Sequence, residues 1–593
     1  VSDKQFMSFE KGLILASASM GQPPESTPDC GNVFFSPGGK AFQRYGATCD
    51  LIDISAHPDT RTSGGNMFVL EDVFYGKLKP SARCQYLAMD AGGGVGHIWG
   101  IEENRGTGAK TPHYIQSYTT TNNLVQDRPH GVAFIGTGPT YETILCVGRS
   151  DNPVSIKGLA SSPTVTTITH SDWVNAGDFP TICAAYNGCL WFSGAPNYPT
   201  RIWKTAVGSS TSFGGTGASA GLVLDLNMTS GGRIVGLKSL YNIFLIFTSQ
   251  GVYRINGSDA TDYTSVFVSP VAAVNQHSIV STESYLFFMS QGTVYRVVTT
   301  LDYGDLKIED VGIPIADAIE DTAQWKLQGT VGVYDDVHKR VFMFFESDYT
   351  FARSGSYTQE ISQSQVDTEL TSGNDVYMPA AGHALWLDVN TNAWGRVFFD
   401  RSFRYVVSQE AGDGGFGIEA YTVAYSVPAG SSQGTHIAEY GLFKEDVFDD
   451  TLHVDSSTSA APTTSASAIT AYIRTPQHHF ESLHRRKTNF FVTTVFRNEE
   501  FAAGGIANKG ALSLNYSVDY RDAADRSFGS IYRAHPLNTS TPGDASATEP
   551  LFRFRASLPG SGNVLQLEYI NTVLGKRFEL NGYEVSLRMR GKA

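Results

Sequence analysis

Gly217-Ala218-Ser219-Ala220-Gly221 matches the G-x-S-x-G pattern of a hydrolase nucleophile. In that role the serine sits on a sharp strand-to-helix turn that presents its hydroxyl to a histidine base. Here the polar segment 209–216 precedes it and a strand-like run, Leu222-Val223-Leu224-Asp225-Leu226, follows, so the pattern reads as a Gly/Ser loop. Gly92-Gly93-Gly94-Val95-Gly96 has the glycine count of a phosphate-cradling loop but not its spacing, and no helix follows to offer N-terminal amides. A crowded turn is the simpler reading. His478, His479 and His484 are close in sequence, yet His-Glu-x-x-His is absent, and His478 and His479 would point to opposite faces of a strand. They read as surface or partly buried imidazoles beside the basic run His484-Arg485-Arg486-Lys487, in which Arg485, Arg486 and Lys487 are candidate partner contacts.

Asp519, Asp522 and Asp525 offer carboxylates of the kind that cleave glycosides in pairs, but Arg521 and Arg526 interleave with them and Ser527-Phe528-Gly529 follows, which suggests a solvated hairpin turn. The acidic run Glu445-Asp446-Val447-Phe448-Asp449-Asp450 reads as a solvated loop in a single chain. In a ring of copies, Glu445, Asp446, Asp449 and Asp450 become a candidate acidic lining of the opening. Trp173, Tyr186, Trp191 and Tyr198 could stack on sugars; packing between sheets is the alternative use of the same residues, and the favoured one. No pattern asks for a cofactor or a metal, so none is expected, and no residue is assigned a catalytic role.

The elements that would position these residues are strands. Runs of four to eight residues rich in Val, Ile, Phe, Tyr and Thr recur between Gly, Asn, Asp and Pro turns. The best helix candidate, 315–325, is short. Phe247-Thr248-Ser249-Gln250-Gly251-Val252-Tyr253-Arg254 returns 41 residues later as Phe288-Met289-Ser290-Gln291-Gly292-Thr293-Val294-Tyr295-Arg296, each copy an apolar strand, a tight turn and a second strand. Looser copies start at Thr143, Gly188, Arg340 and Ala384. A period of ~40–50 residues holding several strands marks a β-propeller, whose small sheets bury their faces only against one another.

The expected organisation is an N-terminal arm over 1–50, a propeller of six or seven blades over 51–454, a linker or loop over 455–470, and a C-terminal β-sandwich, or strands docking on the propeller, over 471–593. The arm is rich in Gly and Pro, the linker in Ser, Thr and Ala. Segment 354–375 is polar and reads as a loop inserted between strands.

Composition narrows the function. Charged residues make up 17% of the chain, against about 25% in a typical domain, and acids outnumber bases for a net charge of −14. A general nucleic-acid-binding surface is therefore not expected, and contact with DNA would be local or non-adhesive. No stretch approaches the ~20 apolar residues that span a bilayer, and Val1-Ser2-Asp3-Lys4-Gln5 lacks the pattern of a signal peptide, so a soluble, unsecreted protein is the expectation. Six cysteines without a C-x-x-C pair read as buried free thiols, with a Cys183–Cys189 bridge across a hairpin as the alternative.

Several segments taken together resemble tailed-bacteriophage tail proteins built on a propeller, the nozzle or tail-hub subunits of short-tailed phages. These are Phe9-Glu10-Lys11-Gly12-Leu13, Pro23-Pro24-Glu25-Ser26 and Asn32-Val33-Phe34-Phe35 in the opening arm, and Pro199-Thr200-Arg201-Ile202-Trp203-Lys204. Trp386-Leu387-Asp388 with Asn392-Ala393-Trp394, and Leu565-Gln566-Leu567-Glu568-Tyr569-Ile570 before Arg577-Phe578-Glu579-Leu580, complete the set. The resemblance implies a virion protein, made in the host cytoplasm and assembled as a ring of six copies below portal and adaptor. It further implies contacts with adaptor proteins and with fibres or spikes, genomic DNA passing through without specific binding, and no catalytic residues. The insertion at 354–375 and the Ser/Thr linker depart from that pattern. The reading from another class is a carbohydrate-binding or carbohydrate-cleaving propeller engaged in host-surface recognition; a third is a propeller scaffold in a cellular complex.

Overall fold

The computed structural model describes residues 5–15, 22–23, 25–54, 69–79, 82–90, 95–104, 107–119, 128–136, 141–158, 160–228, 231–299, 306–320, 322, 324–345, 349–353, 357–361, 376–379, 382–400, 403, 405–408, 417–426, 433–444, 447, 449–454, 463–478, 487–497, 512–519, 526–530, 551–573 and 578–589. The fold is all-β: a seven-bladed propeller joined to a two-sheet sandwich.

Blades 1 to 5 are four-stranded antiparallel meanders taken in chain order, from Val69–Lys79 through Leu306–Asp310. Their innermost strands are Val69–Lys79, His130–Ile135, Ile182–Tyr186, Ile234–Leu240 and Ile279–Ser281; Val331–Asp335 and Tyr405–Ser408 serve blades 6 and 7. These seven strands touch in cyclic order and the last touches the first, so the ring is closed. The count of seven resolves the sequence expectation of six or seven.

The repeat maps onto this pattern with one exception. Tyr141–Cys146, Cys189–Ser193, Ile243–Thr248, Leu286–Met289 and Arg340–Phe344 are the second strands of blades 2 to 6, but the copy at Ala384 falls in Gly382–Asp388, the third strand of blade 6. The physical reason is common burial: both positions lie inside a sheet packed on two faces and therefore read as continuous apolar runs. Blade interfaces are apolar, as where Trp191 of blade 3 meets Phe244 of blade 4 at 4.8 Å. Each such buried aromatic or aliphatic side chain stabilises the ring by about 1.5–3 kcal/mol. The closure between blades 7 and 1 adds polar contacts. Tyr421 and Gln85 both donate to Glu419 at 2.7 Å, and Lys110 of blade 1 bridges Glu439 (2.7 Å) and Asp50 (3.0 Å) of blade 7.

The arm is threaded through both units. Gln5–Met7, Val33–Phe35 and Ala41–Gln43 join one sandwich sheet and Asp29–Gly31 the other. Gly12–Leu13 extends blade 6 beside Trp394, and Gly46–Asp53 supplies the fourth strand of blade 7. Gly12 has φ +64°, and a Cβ there would stand 2.6 Å from the Trp394 carbonyl oxygen, so glycine is required. One core runs from Phe342 and Trp386 of blade 6 through Phe34 and Phe35 of the arm to Tyr583 of the sandwich. The sandwich pairs Leu551–Gly562, Lys487–Arg497 and Glu579–Met589 in one sheet with Ala471–Arg474, Leu565–Asn571, Ser513–Val518 and Arg526–Ser530 in the other.

Three expectations are corrected. Part of the expected 455–470 linker is a strand, Thr463–Ala468, paired antiparallel with Asp449–Val454; its side chains are largely exposed, so backbone pairing rather than burial holds it. Within the loop expected at 354–375, Tyr357–Ile361 is a strand paired antiparallel with Tyr349–Arg353, which also pairs with Val376–Pro379; 354–356 and 362–375 lie outside the described residues. The helix at 315–325 is two single turns, Ala316–Glu320 and Gln324–Gln328. All six cysteines are free, and Cys183 neighbours Cys146 instead of bridging to Cys189.

Candidate functional site

A group of polar side chains among the described residues meets at the propeller axis. Arg128 lies two residues before His130, the start of the innermost strand of blade 2, yet its guanidinium donates to the carbonyl of Gly329 (3.1 Å), close to the innermost strand of blade 6. His130, the first residue of the blade 2 strand, places Nε2 3.2 Å from the Gln276 amide nitrogen, ahead of blade 5. Blade 2 adjoins neither blade 5 nor blade 6, so both contacts cross the axis.

Gln276 is locked by Leu237 of blade 4. Its amide oxygen accepts from the Leu237 N–H (2.7 Å) and its nitrogen donates to the Leu237 carbonyl (3.2 Å). Gly236 allows this approach, since a Cβ there would meet Gln276 at 2.9 Å. His277 packs edge-on against His130, with ring centroids 5.7 Å apart, and its carbonyl accepts from Gly332 of blade 6. Lys238 follows Leu237 on the innermost strand of blade 4. Asn275 anchors the segment by donating to the carbonyls of Gln328 and Thr330 and accepting from Ser278 N–H.

Electrostatically the cluster is one-sided. Burial pushes the His277 imidazole well below its ordinary pKa, and its neighbours His130, Arg128 and Lys238 push it further the same way. Burial also lowers Lys238. Behind the cluster, Nδ1 of His130 accepts from the Cys183 backbone N–H (3.3 Å) and lies 3.6 Å from the thiol sulfur. Burial raises both thiols, but the Cys146 hydrogen bond and His130 outweigh it at Cys183, which becomes the more acidic of the pair. Both sulfurs are fully buried between blades 2 and 3, so the thiol–imidazole pair presents no face to solvent.

The residues singled out from sequence are not brought together. Asp450 is buried, bound by Arg44 through two contacts of 2.5 and 2.8 Å, and accepts from Ala47 N–H (3.1 Å). Its expected place in an acidic lining is therefore corrected: it is an internal counter-ion to the arm. Asp449 is half-buried at the start of its strand, while Glu445 and Asp446 lie outside the described residues. Arg485 and Arg486 also lie outside them, as do His479, His484, Asp522 and Asp525, and of Lys487 only the backbone, paired with Gly562 and Met589, is described. His478 is buried with Nε2 3.0 Å from the Tyr583 hydroxyl. Ser219 is exposed on a single 3-10 turn, as the loop reading of its motif requires.

The aromatics considered for sugars pack inside the protein. Trp173 and Trp191 are buried, Tyr186 stacks on Phe244 across blades 3 and 4 at 5.0 Å, and Tyr198 sits between Trp203 and Arg201.

The axial residues escaped sequence reading because Arg128, Lys238 and His277 are far apart in the chain and only ring closure joins them. The signal present was a basic residue interrupting an innermost strand, as Lys238 does in Ile-Val-Gly-Leu-Lys-Ser-Leu.

No family model matches the chain, and no curated protein matches it. Among solved structures, 67% of the chain aligns with 99% of virginiamycin B lyase from Staphylococcus aureus at 11% identity and a TM-score of 0.33. Sqt1 from Saccharomyces cerevisiae aligns over 70% of this chain and 100% of its own at 8% identity and a TM-score of 0.32. The WD40 domain of SCAP from fission yeast aligns over 67% and 98% at 9% identity and a TM-score of 0.28. These similarities concern fold alone.

Proposed function

We propose that the chain is a virion structural protein of the tail nozzle or hub type, a subunit that assembles as a ring around a DNA-ejection channel and anchors fibres or spikes. The observation that supports this reading is the arm, whose strands enter both sandwich sheets and blades 6 and 7 and so tie the two units together through backbone hydrogen bonds. A subunit of a conduit that withstands pressure needs such rigidity. Because side chains cross the propeller axis, the conduit in this reading lies between copies and not through the blades.

The outermost strands of blades 3 and 4 expose Val223, Val266 and Phe267, a surface suited to lateral contact with a second copy. Adaptor and fibre contacts, and a surface that lets DNA pass without holding it, belong to the same proposal; the net charge of −14 is consistent with the last.

Electron microscopy of the purified full chain tests it. The expected particle is a six-fold ring with an axial hole, and Phe267→Asp shifts the population to single subunits. A protein that stays monomeric at high concentration and is missing from washed virions overturns the proposal.

A further inference from the structure

We propose that Cys146 and Cys183 form a redox pair that hydrogen peroxide closes to a disulfide between blades 2 and 3. Cys146 ends the second strand of blade 2, Tyr141–Cys146, and Cys183 is the second residue of the innermost strand of blade 3, Ile182–Tyr186. These two strands pack against each other. The Cys183 sulfur lies 3.6 Å from the His130 carbonyl oxygen and 3.9 Å from that of Ile144. His130 is the cross-strand partner of Cys146, and Ile144 shares its face of the sheet, so both contacts place the sulfur beside Cys146. The two thiols are hydrogen-bonded to each other, with Cys146 donating.

Three other cysteines are placed differently. Cys189 packs with Trp191 and Phe244 in the core between blades 3 and 4, on the opposite face of blade 3 from Cys183. Cys84 belongs to the core between blades 1 and 2, and Cys30 to the core shared by arm, blade 6 and sandwich. Burial pushes Cys30 and Cys84 up to about 12. At Cys183 burial acts the same way, but the Cys146 hydrogen bond and His130, whose Nδ1 is 3.6 Å from the sulfur, outweigh it. They favour the thiolate, the form that attacks peroxide.

The chemistry takes two steps. The Cys183 sulfur attacks one peroxide oxygen, the O–O bond breaks, and the departing oxygen leaves as water with the thiol proton, which gives a sulfenic acid. The Cys146 sulfur then attacks the sulfenic sulfur, the S–O bond breaks, and water leaves with the Cys146 proton. Each sulfur is oxidised by one electron, and the peroxide takes up both. Hydrogen peroxide is uncharged and little larger than water, so local opening of the blade interface admits it to the enclosed sulfurs.

The test treats the folded full chain with hydrogen peroxide, blocks the remaining thiols with N-ethylmaleimide in denaturant, and maps the unreduced peptides by mass spectrometry. The expected product joins Cys146 to Cys183, is lighter by two hydrogens and reverts with dithiothreitol, while Cys30, Cys84 and Cys189 remain thiols. Cys146→Ala should stop the reaction at a Cys183 sulfenic acid that dimedone traps, and Cys183→Ala should leave Cys146 reduced. Cys84→Ala should form the bridge as the parent does.

The parent alone decides whether the bridge forms, and the variants assign the order of the steps. Cys146 and Cys183 recovered as thiols after excess peroxide overturn the proposal. So does Cys183 bridged to another cysteine, or carried on to a sulfinic acid in place of the bridge. A bridge that forms equally well in the urea-unfolded chain overturns it too, because placement by the fold would then count for nothing.

Discussion

The arm and the propeller axis both enclose basic side chains, and they treat them in opposite ways. Arg44 donates to Asn32 Oδ1 (2.8 Å), the Tyr45 carbonyl (3.0 Å), the Phe398 carbonyl (2.9 Å) and both oxygens of Asp450. Every partner is built into the chain, and the partners come from the arm, blade 6 and the strand beyond blade 7. The axial cluster gathers Arg128, His130, Lys238 and His277, and burial together with these basic neighbours lowers the His277 pKa. The difference teaches that an enclosed cation stabilises a join where a carboxylate faces it, and raises the cost of protonating its neighbours where basic groups gather.

The largest effect should come from breaking the completed side. Asp450→Ala leaves Arg44 enclosed without its counter-ion, and the expected loss is about 3–5 kcal/mol, read as a fall in the urea midpoint. The double variant Arg44→Met with Asp450→Leu should recover part of that loss, because neither partner then remains stranded. A simple sum of the two single losses would mean that the pair is not a unit.

Gly12→Ala attacks the same join through the backbone. The new Cβ meets the Trp394 carbonyl in a left-handed conformation, at a cost of about 1–3 kcal/mol. Limited proteolysis should then release the arm before the blades are cut; cleavage unchanged from the parent would show that the arm does not depend on this contact.

How much of this was legible beforehand follows from the range of the interactions. The hairpins around Ser249-Gln250-Gly251 and Ser290-Gln291-Gly292 were readable because their apolar strands and turns are local in sequence. Blades 1 and 7 gave no repeat copy. Their second strands, Ala82–Asp90 and Ile418–Ser426, mix apolar residues with Gln85, Glu419 and Tyr421, which close the ring through polar contacts. Blade 7 is also completed by Gly46–Asp53, nearly four hundred residues away in the chain. Asp450 looked like surface acid because its neighbours in sequence are acidic, and only Arg44 explains its burial. The axis needed the same long-range closure, since no local pattern announces that Arg128 will reach Gly329.

A third site lies between the two extremes. Arg340 is enclosed by Phe34 at 4.2 Å, Trp386 at 5.4 Å and Phe42 at 5.7 Å. Burial lowers its pKa to about 10, against the pull of Asp335 and Asp388. Here aromatic faces do part of what Asp450 does for Arg44. Arg340→Lys keeps the charge but loses the planar stacking, and should cost about 1 kcal/mol. A loss as large as that of Asp450→Ala would place Arg340 with the fully completed cations.

The finest test of the contrast is pH. Burial, with Arg128, His130 and Lys238 on its flanks, holds His277 neutral well below the ordinary histidine pKa. The unfolded chain takes up that proton near pH 6.5, and the folded chain does not. The contribution is therefore fully present above about pH 6.5 and shrinks as pH falls, by about 0.7 kcal/mol between pH 7 and 6 for this one group. His170 and His436 are also lowered by burial and give slopes of the same sign, so the informative quantity is the difference between parent and His277→Asn. That variant should show a shallower decline in stability. Were His277→Asn to lose stability as steeply as the parent, His277 would not be the group that titrates, and the contrast with Arg44 and Asp450 would disappear.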